Sequence, residues 1–194
     1  TFYTYQLGVY AFGRRWLTDN VELFGEVGFN IATNYDDFLF LDGGEDALPP
    51  VRTNIRRYVQ NDIWLDSAQV TYHKRLGQDW FAMAYAGYLE RMYGGLGAEV
   101  LYKPVDSRWA FGFNANRVRK RDFEGGAGFL DYEVTTGFAS VYYQMPWLSD
   151  SLLQLDFGQF LAKDKGVQVT MQKRFDSGVV AGAYAAFTDG SSEE

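Results

Sequence analysis

The sequence predicts an all-β protein: an antiparallel transmembrane β-barrel of the outer-membrane type, about 10–12 strands in all and incomplete within these 194 residues. Three observations carry that expectation. Apolar and polar residues alternate with period two from end to end. The alternating runs approach the roughly 9–11 residues that a tilted membrane-crossing strand needs, beyond the roughly five or six of ordinary sheets. Short connections also interleave with longer ones, which places short turns on a periplasmic rim and long loops on the opposite rim. With 21 Gly, 14 Tyr and 16 Phe against only 4 Pro, the composition suits long, closely paired strands with small residues on one side.

Taken in order, Tyr3, Tyr5, Leu7, Val9 and Ala11 oppose Thr4, Gln6 and Gly8, and a short link over 13–20 follows. Val21, Leu23, Val27, Phe29 and Ile31 then oppose Glu22, Glu26 and Asn30, a polar set suited to a lumen or a solvated surface and awkward in a sandwich core. The longest connection, 32–63, holds the acidic DGGEDA at 42–47 and the basic VRTNIRRYVQND at 51–62. Strands are expected at 64–74 and 80–90, joined over 75–79, with a link at 91–95.

The next segment, GAEVLYKPVDSRWAFGFNAN at 97–116, reads as a hairpin turned by Pro104 to Ser107. Ala98, Val100, Tyr102, Trp109, Phe111, Phe113 and Ala115 share its apolar face. Gly97, Glu99, Leu101, Lys103, Ala110, Gly112, Asn114 and Asn116 share the other. In a barrel, Val100, Tyr102, Trp109, Phe111 and Phe113 face lipid. Glu22, Glu26, Asn30, Glu99, Lys103, Asn114 and Asn116 then line the lumen and offer contacts to a polymer. A soluble β-sandwich is the rival, in which the same apolar face packs on a second sheet.

Further strands are expected at 132–143, 152–162, 167–175 and 179–188, with connections at 119–131, 144–151, 163–166 and 176–178. Trp16, Trp80, Tyr102, Trp109, Trp147 and Phe175 flank the short links, as an interfacial girdle requires. The segment AAFTDGSSEE ends polar, without the strand that would close a barrel, and the opening TFYTYQLGVYAFG is strand-like instead of a leader. Residues 1–194 are therefore read as one barrel domain or barrel fragment of a longer parent.

Several chemistries find no support. No run of about 18 apolar residues occurs, so closure of a sheet is the one membrane-spanning option. The absence of Cys removes disulfides and thiolate metal sites, and a net charge of −7 argues against a nucleic-acid partner. His73, the only histidine, sits beside Lys74 and Arg75 as a rim residue, with neither triad partners nor convergent metal ligands. DGGEDA lacks the spacing of a calcium loop. GGLG at 94–97 and GGAG at 125–128 lack the Lys, the Ser/Thr and the helix of a phosphate loop and read as flexible loop residues. No catalytic residue, metal or cofactor is assigned.

Glu22, Glu26, Glu99, Glu133 and Asp156 keep a glycan-cleaving enzyme as an alternative, because such enzymes need only two suitably placed carboxyl groups. Arg52, Arg56 and Arg57 follow Asp36, Asp37, Glu45 and Asp46 in the longest loop, and Arg52 with Arg56 would share a face of one short helix. They either pin a folded-in loop through carboxylates or gate the lumen and meet an acidic glycan. The basic run RVRKRDF at 117–123 is either solvated or touches anionic headgroups or polymer.

Four blocks in order also resemble a known family: LPPVRTNIRRYVQNDIWLDSAQVTYHKRLG, GYLERMYGGLGAEVLYKP, SRWAFGFNANRVRKRDFEGGAGFLDYEVTTGFASVYYQ and RFDSGVVAGAYAAFTD. Over most of residues 48–188 the chain is similar to the C-terminal part of the YjbH family of outer-membrane exopolysaccharide and capsule biosynthesis proteins, which includes the GfcD-type capsule proteins. The resemblance implies a largely β-barrel envelope protein, often a lipoprotein, of the bacterial outer membrane. It implies a non-enzymatic part in exopolysaccharide or capsule export or assembly. Its partners would be outer-membrane lipids, the polymer and other polysaccharide-secretion proteins. A glycan-modifying envelope enzyme and a general porin are the alternatives.

Overall fold

The computed structural model describes residues 4–35, 51–52 and 54–190. DGGEDA and the four acids Asp36, Asp37, Glu45 and Asp46 lie outside the described residues. Ten strands form one sheet in chain order, each antiparallel to the next: β1 (Gln6–Trp16), β2 (Val21–Thr33), β3 (Ile63–Arg75), β4 (Trp80–Tyr88), β5 (Tyr93–Tyr102), β6 (Trp109–Arg121), β7 (Phe129–Gln144), β8 (Ser151–Gln159), β9 (Lys165–Arg174) and β10 (Val180–Thr188). Among the described residues of the connection from β2 to β3 is a short helix, α1 (Ile55–Val59). Among the described residues β1 and β10 pair only inward, so the sheet is not closed.

Period-two alternation sets its two faces. One transverse row runs Glu22, Thr71, Tyr85, Gly97, Asn116 and Thr136 through successive pairings of β2 to β7. A second runs Ser140, Asp156 and Gln168 across β7 to β9. Thr71, Thr136, Ser140 and Asp156 in these rows are buried. The opposite face carries Val100, Phe113, Ala139, Phe157, Val167 and Phe187 in register across β5 to β10. There Phe113 is 60% and Phe187 69% exposed.

The sheet curls around its polar face. Arg91, in the β4–β5 connection, reaches back across the sheet to Gln6 (3.2 Å) and Tyr10 (3.0 Å) on β1. Beneath it the Trp64 indole is buried, edge-on to Tyr10 with centroids 5.7 Å apart. That ring fits because its cross-strand neighbour on β2 is Gly28, where an added Cβ would lie 2.2 Å from ring carbons. Gly97 does the same for Tyr85, whose ring passes where a Cβ would stand. Glycine is needed at both sites for close approach of a ring to backbone.

Some boundaries differ from the sequence reading. β1 extends to Trp16, paired with Glu22, so the first turn is only 17–20. GGLG is not a flexible loop: all four residues lie in β5, and the bare backbone of Gly95 and Gly97 leaves room for the neighbouring strand and for Tyr85. The aromatic ring of the short-connection rim has physical contacts. Trp80 meets Tyr102 at 4.8 Å and Trp109 meets Tyr143 at 4.3 Å, while Trp147 lies 6.0 Å from Tyr143.

Gly28→Ala forces the Trp64 indole to move. The expected cost is about 1–3 kcal/mol, as for other overpacked sites. Near-ultraviolet circular dichroism should lose intensity before the far-ultraviolet strand signal does, and a variant identical to wild type in both would show that Trp64 has slack.

Candidate functional site

The concave face holds a folded-in segment at its long-connection end. Residues 51–52 and 54–62, which include α1, enter the curve of the sheet and pack Tyr58 into a buried cluster with Met92, Tyr93, Val118 and Val134. Burial pushes the Tyr58 phenol up to about 12. The neutral hydroxyl donates to the Arg121 carbonyl. Asn30 on β2 donates to the Val59 carbonyl at 3.3 Å, and Lys120 donates to Asn54 Oδ1 at 2.6 Å. Tyr93 donates its hydroxyl to the Val51 carbonyl at 3.2 Å. The segment therefore acts as a plug tied to β2, β5 and β6.

Arg121 is the anchor of this end and is 1% exposed. Its guanidinium donates to the carbonyls of Leu65 (2.7 Å), Asp66 (3.3 Å), Glu90 (2.9 Å) and Gly126 (3.1 Å), and its Cζ lies 4.6 Å from the centre of the Tyr88 ring. Carbonyl oxygens meet both terminal nitrogens in place of the water they give up, while the buried Nε has no partner among the described residues. A register shift between Arg119 and Arg121 turns this side chain inward.

Two cavities share the concave face. One of about 940 Å³ lies between the plug and β6–β9, bordered by Arg52, Asn114, Asn116 and Asp156. Asp156 accepts from Ser140 (2.5 Å) and from Gln154 (2.8 and 2.9 Å). The other, about 490 Å³, lies at the short-connection end beside Glu99, Lys103, Arg108 and Arg174.

The remaining predicted positions divide as follows. Glu99 pairs directly with Asn114, and Asn116 accepts from the Tyr85 hydroxyl at 2.5 Å. Glu22 holds Arg14 at 2.7 Å and approaches His73 at 3.5 Å, while Glu26 is paired with Phe12 and Ser67. Val100 faces Phe113, and Tyr102 faces Phe111, on the convex side that also carries Trp109.

Of the two readings of the basic loop the pinning one describes Arg52, whereas the run at 117–123 departs from expectation. Arg52 precedes the helix and pairs at 2.9 Å with Glu90, a residue outside its own loop. Arg57 lies 4.0 Å over the Phe123 ring, and Arg56 stands in the last turn of α1. RVRKRDF is not one solvated or ligand-facing patch, because strand alternation and the register shift divide it. Arg117 pairs with Glu133 at 2.6 Å and Arg119 sits near Phe129, whereas Lys120 and Arg121 turn inward. Sequence reasoning missed Arg121 and Tyr58. Their partners lie 31 to 63 residues away, apart from Gly126, and local spacing carries no sign of them.

A model of the YjbH family, described as exopolysaccharide biosynthesis protein YbjH, matches residues 1–194. A relative from Escherichia coli (strain K12), named uncharacterized lipoprotein YjbH, is 46% identical over 197 residues. That match covers 100% of this chain and 28% of the relative, so the chain spans little more than a quarter of the relative's length. No solved structure matches the chain.

Arg121→Leu strands four carbonyls, each worth about 1–3 kcal/mol when left unsatisfied in a buried place. The plug is expected to loosen before the strands do, seen as faster proteolysis within 51–62. Arg121→Lys should rescue poorly, because an ammonium cannot span four acceptors. For Tyr58, the neutral phenol favoured by burial supports the plug below the ordinary pKa of 10.0, and that support is lost as pH rises through about 12. Tyr58→Phe should remove the hydrogen bond at every pH, and proteolysis that is insensitive to both changes would discard the latch.

Proposed function

The chain belongs to the YjbH exopolysaccharide biosynthesis family, and we propose that it forms part of an outer-membrane β-barrel that assists export or assembly of an exopolysaccharide or capsule polymer without catalysing a reaction. The observation that carries this reading is the inversion of the sheet's two faces. The convex face is apolar and exposed at Leu23, Val70, Phe111, Phe113, Phe157 and Phe187, while the concave face buries Ser67, Thr71, Thr136, Ser140 and Asp156. A sheet built for water would bury the first set, and lipid is the solvent that suits it.

A barrel also supplies what the edges lack. In hydrocarbon each backbone N–H and C=O needs a partner, so the free edges of β1 and β10 require closure or further strands. The two edge strands run antiparallel to each other, which permits either solution. The name of the Escherichia coli relative, a lipoprotein, supports attachment to the cell envelope. Outer-membrane lipids, the polymer and other secretion proteins are the partners this role requires.

A sheet of about ten strands encloses a narrow interior, and here the plug occupies one end. The unit therefore acts as a polymer-contacting or docking element instead of an open pore. Carboxylates committed to structure favour the non-enzymatic reading over the glycan-cleaving one: Asp156 is saturated by Ser140 and Gln154, and Glu22 by Arg14.

Depleting the full-length protein in a polymer-producing bacterium should make the polymer accumulate in the periplasm. Normal export with unchanged polymer would refute the role. Separately, Phe113→Lys places a charge on the outward belt at an expected cost of about 2–4 kcal/mol near the bilayer midplane. It should abolish recovery in the membrane fraction, while Asn114→Lys on the inner face should not, and equal behaviour of the pair would contradict the membrane orientation.

A further inference from the structure

We infer that the 940 Å³ cavity beside the plug is a binding site for a neutral, uncharged oligosaccharide segment and discriminates against acidic ones. The inference rests on the polysaccharide role proposed above and adds the ligand's class. Its polar lining is made of amides and hydroxyls: Asn114 and Asn116 on β6, Thr136 on β7, Gln154 on β8, and Gln168 and Thr170 on β9. Amide side chains donate and accept at once, which is what a sugar hydroxyl, itself both donor and acceptor, requires. Asn116 bridges to Asn114 at 3.4 Å, and Gln168 to Thr170 at 3.3 Å, so these groups form short rows along the strands with hydrogen-bonding capacity left over.

Aromatic rings border the same space. Phe138 and Phe160 meet edge to face with centroids 4.9 Å apart, and Tyr184 on β10 stands 74% exposed where the cavity opens. Flat apolar rings beside hydrogen-bonding groups offer the C–H face of a sugar ring a place to lie. The volume falls in the range of ligand pockets and holds a few sugar rings.

Charge decides the class. Among the described residues the charged groups bordering the cavity are Arg52, Glu90, Asp156 and Asp164. The one cation is already engaged, with Arg52 2.9 Å from Glu90. The two remaining carboxylates leave the lining net negative, so a uronate, phosphate or sulfate on the sugar meets like charge and no free guanidinium. Of the two readings of Arg52, pinning the folded-in segment through a carboxylate is the one this inference takes up.

The test is calorimetric titration of the full-length protein in detergent micelles with neutral heptasaccharides of glucose, galactose and mannose, and with a heptasaccharide of galacturonate, at low ionic strength. At least one neutral sugar should bind, with galacturonate about tenfold weaker or undetectable. The pair Asn114→Leu and Thr170→Val should weaken neutral binding about tenfold with unchanged membrane recovery. Asp164→Asn, which removes one carboxylate from the border of the cavity, should narrow the gap between galacturonate and the best neutral sugar. Galacturonate binding as tightly as the best neutral sugar, no neutral sugar binding, or neutral binding indifferent to the Asn114 and Thr170 changes would overturn the inference. Those results leave the export role standing, which falls instead on unchanged export after depletion.

Discussion

The buried guanidinium of Arg121 is the constraint on which the long-connection end depends. It gathers carbonyls from the start of β3, from the β4–β5 connection and from the β6–β7 connection. Taking a full charge out of water costs several kcal/mol unless its donors are met. The backbone here is therefore held wherever it supplies an acceptor. Its own carbonyl then receives the Tyr58 hydroxyl, so the residue that fixes the connections also seats the plug.

The two faces of the sheet follow from simpler rules. Alternation was plain in the sequence, and the hairpin of β5 and β6 shows why: its apolar and polar sets were complete before any pairing was known, and the register places Val100 against Phe113 and Glu99 against Asn114. The ten strands could likewise be read from run length and turn chemistry. Strand ends were less legible where side chains are small. GGLG looks like a loop by composition, yet Gly97 is a strand residue because the Tyr85 ring needs its space.

What could not be read was everything that depends on curvature. Arg91 meets Gln6 and Tyr10 more than 80 residues away. Arg52 finds Glu90 in the β4–β5 connection. A run of basic residues gives no hint of which members will turn inward, since one register shift reverses the assignment at Arg121. The family blocks are a different kind of signal: they speak of shared ancestry and pathway, and the interior geometry supplies the chemistry that the pathway alone leaves open.

The way the plug is held also fixes what can release it. Its ties are a neutral phenol, backbone carbonyls, amides, a packed apolar cluster and the buried Lys120 ammonium on Asn54, and among the described residues the ion pair at its border, Arg52 with Glu90, is partly solvated. Mobile ions screen exposed charges over about 10 Å at ordinary salt and do little to buried neutral contacts. Salt therefore weakens the solvated Arg52–Glu90 pair more than the buried contacts of Tyr58. A bound ligand or a mechanical pull that competes for the carbonyls and the apolar cluster acts on these buried ties directly.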